Sequence, residues 1–567
     1  MTADTNNSNV TDQVDHGTLP AWDRADLPEP LPFSVVNLFK TIGPGAILLA
    51  AAIGGGEWIA GPLATVKFGR GILWIATVAV VLQTIFNLEA VRYTLYTGEP
   101  ILTGFMRLNP GRLFWGWFYI LISVAQLATP ALAAACGGVI FAAIYRHTPD
   151  NANQQAIQHW ISTGVILFAV ALLLSGKSIE RMLEKLSWAM IIFIFTFLIL
   201  VNVIFVPPAD WMKTTQGFLG LQAIEGNIGL HEVVLLATFA ATAGSGGLGN
   251  LAISNWFRDK GFGMGALSGE IGSVVAGEDH AVKPIGTTFP ITEQNLRRWH
   301  TWWRYTILDQ VVLWAFGCVL GMFLNVNLAA MLVPPGVEFK GIGAGTFQAE
   351  YMAKNFWWGF WYLALLNGFW ILFSTHLGNT DVLVRTVSDI SCVAFPRMRK
   401  WSISRLYACL LFFLTVWAVF AVRMGTVLQL FEVLGVVACP IMSIAAIQIL
   451  RVNTRFLPTE LRPALWRRMG LVLCSMAYGG FAVALVVRPF MEQKPPVVKP
   501  AETESESRAD VPGVDPARHA DAVGALNDGA AVAEDGDLVV RISQGQACQE
   551  WIARHCAAGF PLASEVV

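Results

Sequence analysis

Between about residue 40 and residue 490, long apolar runs alternate with short polar stretches, whereas polar residues dominate on either side. A helix needs about 20 largely apolar residues to cross the hydrocarbon layer of a bilayer. Runs of that order fall at 41–66, 72–96, 114–145, 159–175, 186–206, 229–256, 303–330, 357–384, 403–422, 426–450 and 468–490. The pattern predicts an all-α, polytopic membrane protein of about 11 transmembrane helices. Residues 1–38 read as a polar N-terminal tail without the apolar run of a cleavable signal. The C-terminal tail, 491–567, runs through KPPVVKPAETESESRADVPGVDP into an Ala-, Gly- and Asp-rich stretch. Such a composition buries too little apolar surface to order itself, so this tail is expected to be largely disordered.

Two of the runs are interrupted in the middle by glycine. Gly54-Gly55-Gly56 precedes Glu57 in the first, and Ala243-Gly244-Ser245-Gly246-Gly247 divides the sixth. A membrane helix can release its backbone hydrogen bonds only where protein or an aqueous cavity takes them over. Broken helices at corresponding positions of two halves point to the substrate site of a transporter. The breaks lie five helices apart, and an odd offset inverts the second copy, so repeats are expected at about 39–206 and 229–450, with 468–490 as an extra helix.

Glu57 stands about 16 residues into its run, near the bilayer midplane at a rise of 1.5 Å per residue. A carboxylate at that depth costs at least about 2.5 kcal/mol, which makes it a functional candidate. The plainer alternative is that it caps the second half-helix by accepting free N–H groups. Glu432, in LQLFEVLGVVACP, is a second candidate ligand, or a residue of the mouth. Gln126 and Thr129 precede Pro130, and His376, Asn379, Thr380 and Asp381 form a polar band in the eighth run. These groups read as a proton or vestibule path, or as partners for hydrogen bonds between helices. Glu89 and Arg92, at i and i+3, are expected to pair with each other.

Composition agrees with the membrane reading: 54% of residues are hydrophobic, 14% are charged against about 25% in soluble domains, and mean hydropathy is +0.53. A net charge of -2 argues against nucleic acid as a partner. Lys and Arg are roughly three times as frequent at one set of loops as at the other, which predicts a cytoplasmic N-terminus in the cell membrane and, with an odd number of crossings, an extracytoplasmic C-terminus. Six cysteines stand singly in apolar surroundings, where they act as small hydrophobes. Cys548 and Cys556, in the C-terminal tail, form a disulfide in an oxidising compartment or remain surface thiols. Glu270, Glu278, Asp279 and His280 lie in a loop of about 45 residues, long enough for a gating role; they either bind a cation or are simply solvated. No cofactor is expected.

The stretch GPGAILLAAAIGGGEWIAGPLATVKFGRGILW, residues 43–74, resembles the first helix of the Nramp divalent metal transporters. The likeness runs through Gly43-Pro44-Gly45, Trp58, Phe68-Gly69 and Leu73-Trp74. It implies the LeuT-type fold of two inverted five-helix repeats and the transport of a divalent metal ion, coupled to protons in that family. The departures fall on the ligands. Where the family has DPGN, this chain offers Gly54 and Glu57; where it has MPH, Ala243 or Gly244 replaces the methionine and Gly246 stands near the histidine. Glu432 falls near the polar residue that helix 10 brings to the metal.

Metal-binding and substrate-binding candidates are therefore Gly54, Gly55, Gly56, Glu57, Ala243, Gly244, Ser245, Gly246 and Glu432, with Glu57 and Glu432 as the metal ligands. With no thioether left on helices 1 and 6, the expected cargo is a hard or hydrated cation such as Mn²⁺ or Mg²⁺. A competing reading keeps the fold and lets the exposed N–H groups of the breaks seat a small organic solute or anion such as an amino acid. A membrane-embedded sensor or enzyme is the third, and no zinc-ligand pair, nucleophile motif or phosphate loop in the apolar region supports it.

Overall fold

Apolar helices that must satisfy their own backbone in lipid dominate the molecule. The computed structural model describes residues 15–175, 178–225, 228–229, 232–269, 271, 283–333 and 343–491. In chain order the helices are α1 (Val35–Thr41), α2 (Pro44–Ala52), α3 (Gly61–Phe68), α4 (Trp74–Thr97), α5 (Ile101–Arg107), α6 (Arg112–Leu127), α7 (Ala131–Tyr145), α8 (Ala152–Leu174), α9 (Ile179–Phe205) and α10 (Pro208–Phe218). They continue as α11 (Val233–Thr242), α12 (Leu248–Asp259), α13 (Glu293–Ile307), α14 (Phe316–Leu332), α15 (Gly343–Asn355), α16 (Phe360–Ala394), α17 (Ile403–Ala421), α18 (Val427–Arg455) and α19 (Leu465–Met491). Among the described residues, ten helical segments are long and apolar enough to cross a membrane, and the broken pair α11 and α12 occupies the sixth expected crossing. Glu270, Glu278, Asp279, His280, Cys548 and Cys556 lie outside the described residues.

Local chemistry sets the ends and interruptions. Pro44 and Pro62 occupy the first turns of α2 and α3, where the missing N–H is no loss. Pro130 separates α6 from α7, so the third crossing is one path with a kink. Thr426 and Gln429 form a reciprocal capping box at the start of α18. A π-helical turn, Leu308–Ala315, joins α13 to α14, and another, Gly56–Ala60, leads into α3.

Burial ranks the helices from centre to rim. In the first span, Pro44–Phe68, 94% of the most apolar window is buried, against 22% in the last, Leu465–Arg488. The first span is therefore a central element, and the last exposes an apolar face suited to lipid. Glu89 and Arg92 do pair, at 2.7 Å, and Arg467 from α19 joins them at 3.1 Å.

The described part of the N-terminal segment, expected to be a tail, is instead held to the helices. Leu19 and Leu27 are buried. Arg107 donates to the carbonyls of His16 and Pro20, and Trp302 to that of Pro28. Strand β1 (Asp23–Arg24) pairs in parallel with β2 (Thr287–Thr288). The anchor is the buried pair of Arg107 and Glu99: burial alone would raise the Glu99 carboxyl, but the adjacent guanidinium holds it below its usual range.

Candidate functional site

Both glycine-rich interruptions are real breaks, and they touch. The first helix ends at Ile53, whose ψ of 93° leaves the helical region, and resumes through the π-helical turn that carries Glu57. The sixth stops after Thr242; Gly246 and Gly247 have φ of 52° and 70°, which favour glycine, before α12 begins. Gly56 lies so close to α11 that a methyl group on it would stand 2.0 Å from the Thr242 carbonyl oxygen. Glycine is required there because two backbones meet.

The freed peptide groups find different partners in the two breaks. In helix 1, Thr375 of α16 donates to the Ile53 carbonyl at 3.0 Å, and the Gly54 N–H donates to Glu57 Oε2 at 2.8 Å. Glu57 is wholly buried, and its other oxygen, Oε1, has no hydrogen-bond partner. One oxygen thus holds the Gly54 N–H ahead of the second half-helix, which has no side-chain cap, and the other has no partner. In helix 6, Gln126 donates to the Gly246 carbonyl and accepts from the Leu248 N–H, both at 3.0 Å. Gln83 of α4 reaches the Ala241 carbonyl at 3.3 Å and accepts from Gly246 N–H at 3.4 Å. Tyr478 of α19 donates to the Ala240 carbonyl, and Trp314 to Ser245 Oγ. Ala243 continues the α11 bonding pattern to Phe239, and Gly244 packs against the Gln83 amide.

The remaining candidates separate into three places. Phe431, not Glu432, faces the helix 1 break: a methyl group on Gly55 would lie 2.0 Å from its ring. Glu432 is partly exposed on the next face of α18 and interacts electrostatically with Arg488. Thr129, His376, Asn379 and Thr380 line one small cavity of about 30 Å³ beside Pro130, enough for one or two waters. There His376 Nε2 and Thr129 Oγ1 lack protein partners. Asp381 is not on that path: it accepts from Arg385 at 2.8 Å, Trp256 at 3.0 Å and Tyr407 at 2.8 Å.

Asp381 belongs to an ion cluster that ties α12 to α16. Arg385 also binds Asp259, and Arg258 contacts Asp259 and, at 2.9 Å, Asp389. Beside it, Lys260 pairs with Glu184 of α9. A second polar chain runs from the start of helix 1: Asp309 accepts from the Gly43 N–H at 3.0 Å and from Gln310, which accepts from Asn87, which in turn accepts from Asn250. Sequence reasoning passed over Gln83, Asn87, Asn250, Asp309, Gln310 and Thr375. Gln83 and Asn87 had a usable signal, since polar residues four apart in an apolar run share a helix face and require internal partners.

Sulfur also reaches the first break, from a helix the sequence did not implicate. Gly317 and Gly321 of α14 pack on Leu49 and Ile53, and Met322 Sδ lies against Gly61. Cys318 is buried one turn before Met322. The thioether nearest the first break comes from α14 and not from helix 1 or 6. Among the described residues, no three of His, Cys, Asp and Glu gather as a metal-holding group.

No protein-family model matches this chain. An uncharacterised protein of Pasteurella multocida (strain Pm70) is 27% identical over 145 residues, which are 25% of this chain and 32% of that protein's length. Among solved structures, a mutant of the Eremococcus coleocola manganese transporter aligns with a TM-score of 0.55 at 12% identity, covering 83% of this chain and 92% of that one. The same transporter in complex with an aromatic bis-isothiourea substituted compound gives 0.52 at 13% identity, over 83% and 92%. At such identities the likeness is one of fold. The polytopic, LeuT-type helical architecture that the first helix implied is the architecture observed.

Proposed function

We propose that this chain is a secondary active transporter that moves a divalent metal ion across the membrane by alternating access around its two broken helices. Glu57 is the principal charged ligand. One observation carries the reading: a wholly buried carboxylate at a helix break, with one oxygen lacking a partner. Such a group is costly unless a cation or proton compensates it. The fold shared with a manganese transporter supports the same reading.

The choice of a cation over an anionic organic solute is supported by the other break. An anion would need free N–H groups at the α12 N-terminus, and those of Gly246 and Leu248 are given to Gln83 and Gln126. In this reading the cluster of Arg258, Asp259, Asp381, Arg385 and Asp389 closes one end of the path, and the N-terminal end faces the cytoplasm. Glu432, partly exposed on α18, serves the mouth.

Uptake of Mn²⁺ and Mg²⁺ into proteoliposomes, beside a panel of amino and organic acids, tests the proposal. Saturable metal flux that collapses in Glu57→Gln is the expected result. Saturable uptake of an organic substrate without metal flux would overturn it, and internal pH in the same vesicles reads whether protons accompany the ion.

A further inference from the structure

Just before the first span the chain leaves the body of the molecule and returns to it. The Tyr305 hydroxyl reaches the carbonyls of Leu31 and Pro32 at 3.3 and 3.0 Å, and the Phe33 ring lies 5.3 Å from that of Tyr305. The next tie is the Gly43 N–H, which donates to Asp309 at 3.0 Å. Tyr305 and Asp309 are four residues apart on one helical path, α13 and the π-helical turn that follows it, a rise of about 6 Å. Residues 34–42 must therefore bulge sideways between two nearby anchors, and α1 is that bulge. It is not a continuation of the span, because Ile42, with ψ of 143°, turns the chain out of the helical region between α1 and α2. Nor is it needed for the crossing: Pro44–Phe68 is 25 residues long, about 37 Å at helical rise against about 30 Å of hydrocarbon.

The bulge exposes apolar side chains. Val35, Val36 and Phe39 are 72%, 66% and 68% exposed, as much as Phe412 and Phe413 on the outer face of the membrane span α17. At about 100° per residue the three share one narrow arc of α1, with Lys40 at its edge; Thr41, the one buried residue of α1, lies on the other side with the half-buried Asn37 and Leu38. At the start of α13, by contrast, the exposed positions are Glu293, Gln294, Arg297 and His300, while Trp299 and Trp302 are buried. A seven-residue helix such as α1 does not persist alone in water, even with the cap that Ser34 provides. Its apolar arc needs a cover, and it stands where the lipid-facing surface of the spans begins.

We propose that α1 lies in the lipid interface on the N-terminal side of the membrane, with Val35, Val36 and Phe39 among the acyl chains and Lys40 at the headgroups, and that this contact fixes the point from which helix 1 starts. The apolar face of such an interfacial helix sinks about 5–10 Å into the boundary of headgroups and chains, and a lysine at its edge extends its stem back to the headgroups. The partner is the phospholipid bilayer itself, and the proposal holds whatever the cargo is.

Photocrosslinking of the full-length protein in vesicles of phosphatidylcholine and phosphatidylglycerol tests it. With p-benzoylphenylalanine in place of Phe39, illumination is expected to add the mass of one phospholipid, in a yield within about twofold of the same analogue at Phe412 and at least about fivefold above that at His300. A lipid adduct no greater than at His300 overturns the proposal, and so does a crosslink to a second copy in place of lipid. The exposed site makes misfolding no explanation for either outcome. Val36→Asp should speed amide hydrogen exchange in residues 38–41 at least about tenfold in the same vesicles and leave α17 unchanged; unchanged exchange in 38–41 also overturns it. Neither readout involves flux, so a failure of the transport reading and a failure of this one are told apart.

Discussion

Around helix 6, two amides and a phenol take up peptide groups that the break frees, whereas around helix 1 one threonine and one oxygen of Glu57 do so and the other carboxylate oxygen is left over. Both segments are unwound by glycine, so glycine content alone does not say which break is equipped to bind. The difference lies in neighbours. Gln83 and Gln126 occupy both N–H and C=O groups of the helix 6 break. Glu57 leaves one oxygen at the helix 1 break without a partner, and an unpartnered buried polar group is where a ligand gains most.

The largest effect expected is on Glu57. Glu57→Gln keeps an acceptor for the Gly54 N–H and removes the charge, so metal flux in proteoliposomes should fall to background. Its thermal midpoint in detergent should hold or rise, since a buried uncompensated charge has gone. A marked fall in midpoint with flux retained would reverse the contrast between the breaks. Gln126→Leu should do the opposite: it strands the Gly246 carbonyl and the Leu248 N–H, a loss of about 2–6 kcal/mol in stability. Thermal unfolding measures it, and an unshifted midpoint would mean that water replaces the amide.

Smaller changes sharpen the same comparison. Gly247→Ala puts a side chain at φ of 70° and 2.7 Å from the Gln126 amide, for an expected loss of about 1–3 kcal/mol. Thr375→Val removes the donor to Ile53 and should cost about 1–2 kcal/mol. That variant also loosens the helix 1 break, so its flux relative to its stability shows whether the break must be held to transport. Equal flux per folded molecule would assign Thr375 to stability alone.

Much of the architecture was legible because membrane physics writes it in long runs: the spans, the kink at Pro130 and both breaks follow from apolar length, proline and glycine. That Glu57 stands at a break was legible for the same reason. Its surroundings were not, because an isolated polar residue in an apolar run gives its face but not its partner. Asp381 illustrates the limit: beside His376 and Asn379 in sequence, it turns away from their cavity to meet Arg385, four residues on. Met322 looked like ordinary filling until the close approach of α14 set its sulfur against Gly61, just after the helix 1 break. The order of residues 15–33 was hidden by polar composition, since carbonyls rather than side chains dock much of that segment.

Tyr478 gives the last helix a stake in the centre of the molecule. Its hydroxyl receives the Gln83 amide at 2.8 Å and reaches the Ala240 carbonyl at 3.1 Å, although the rest of α19 is mostly at the rim. Any swing of α11 must therefore either drag a peripheral helix along or snap a phenolic tether. A spectroscopic reporter on the lipid-facing side of α19 would register motion at the core without touching the cargo route.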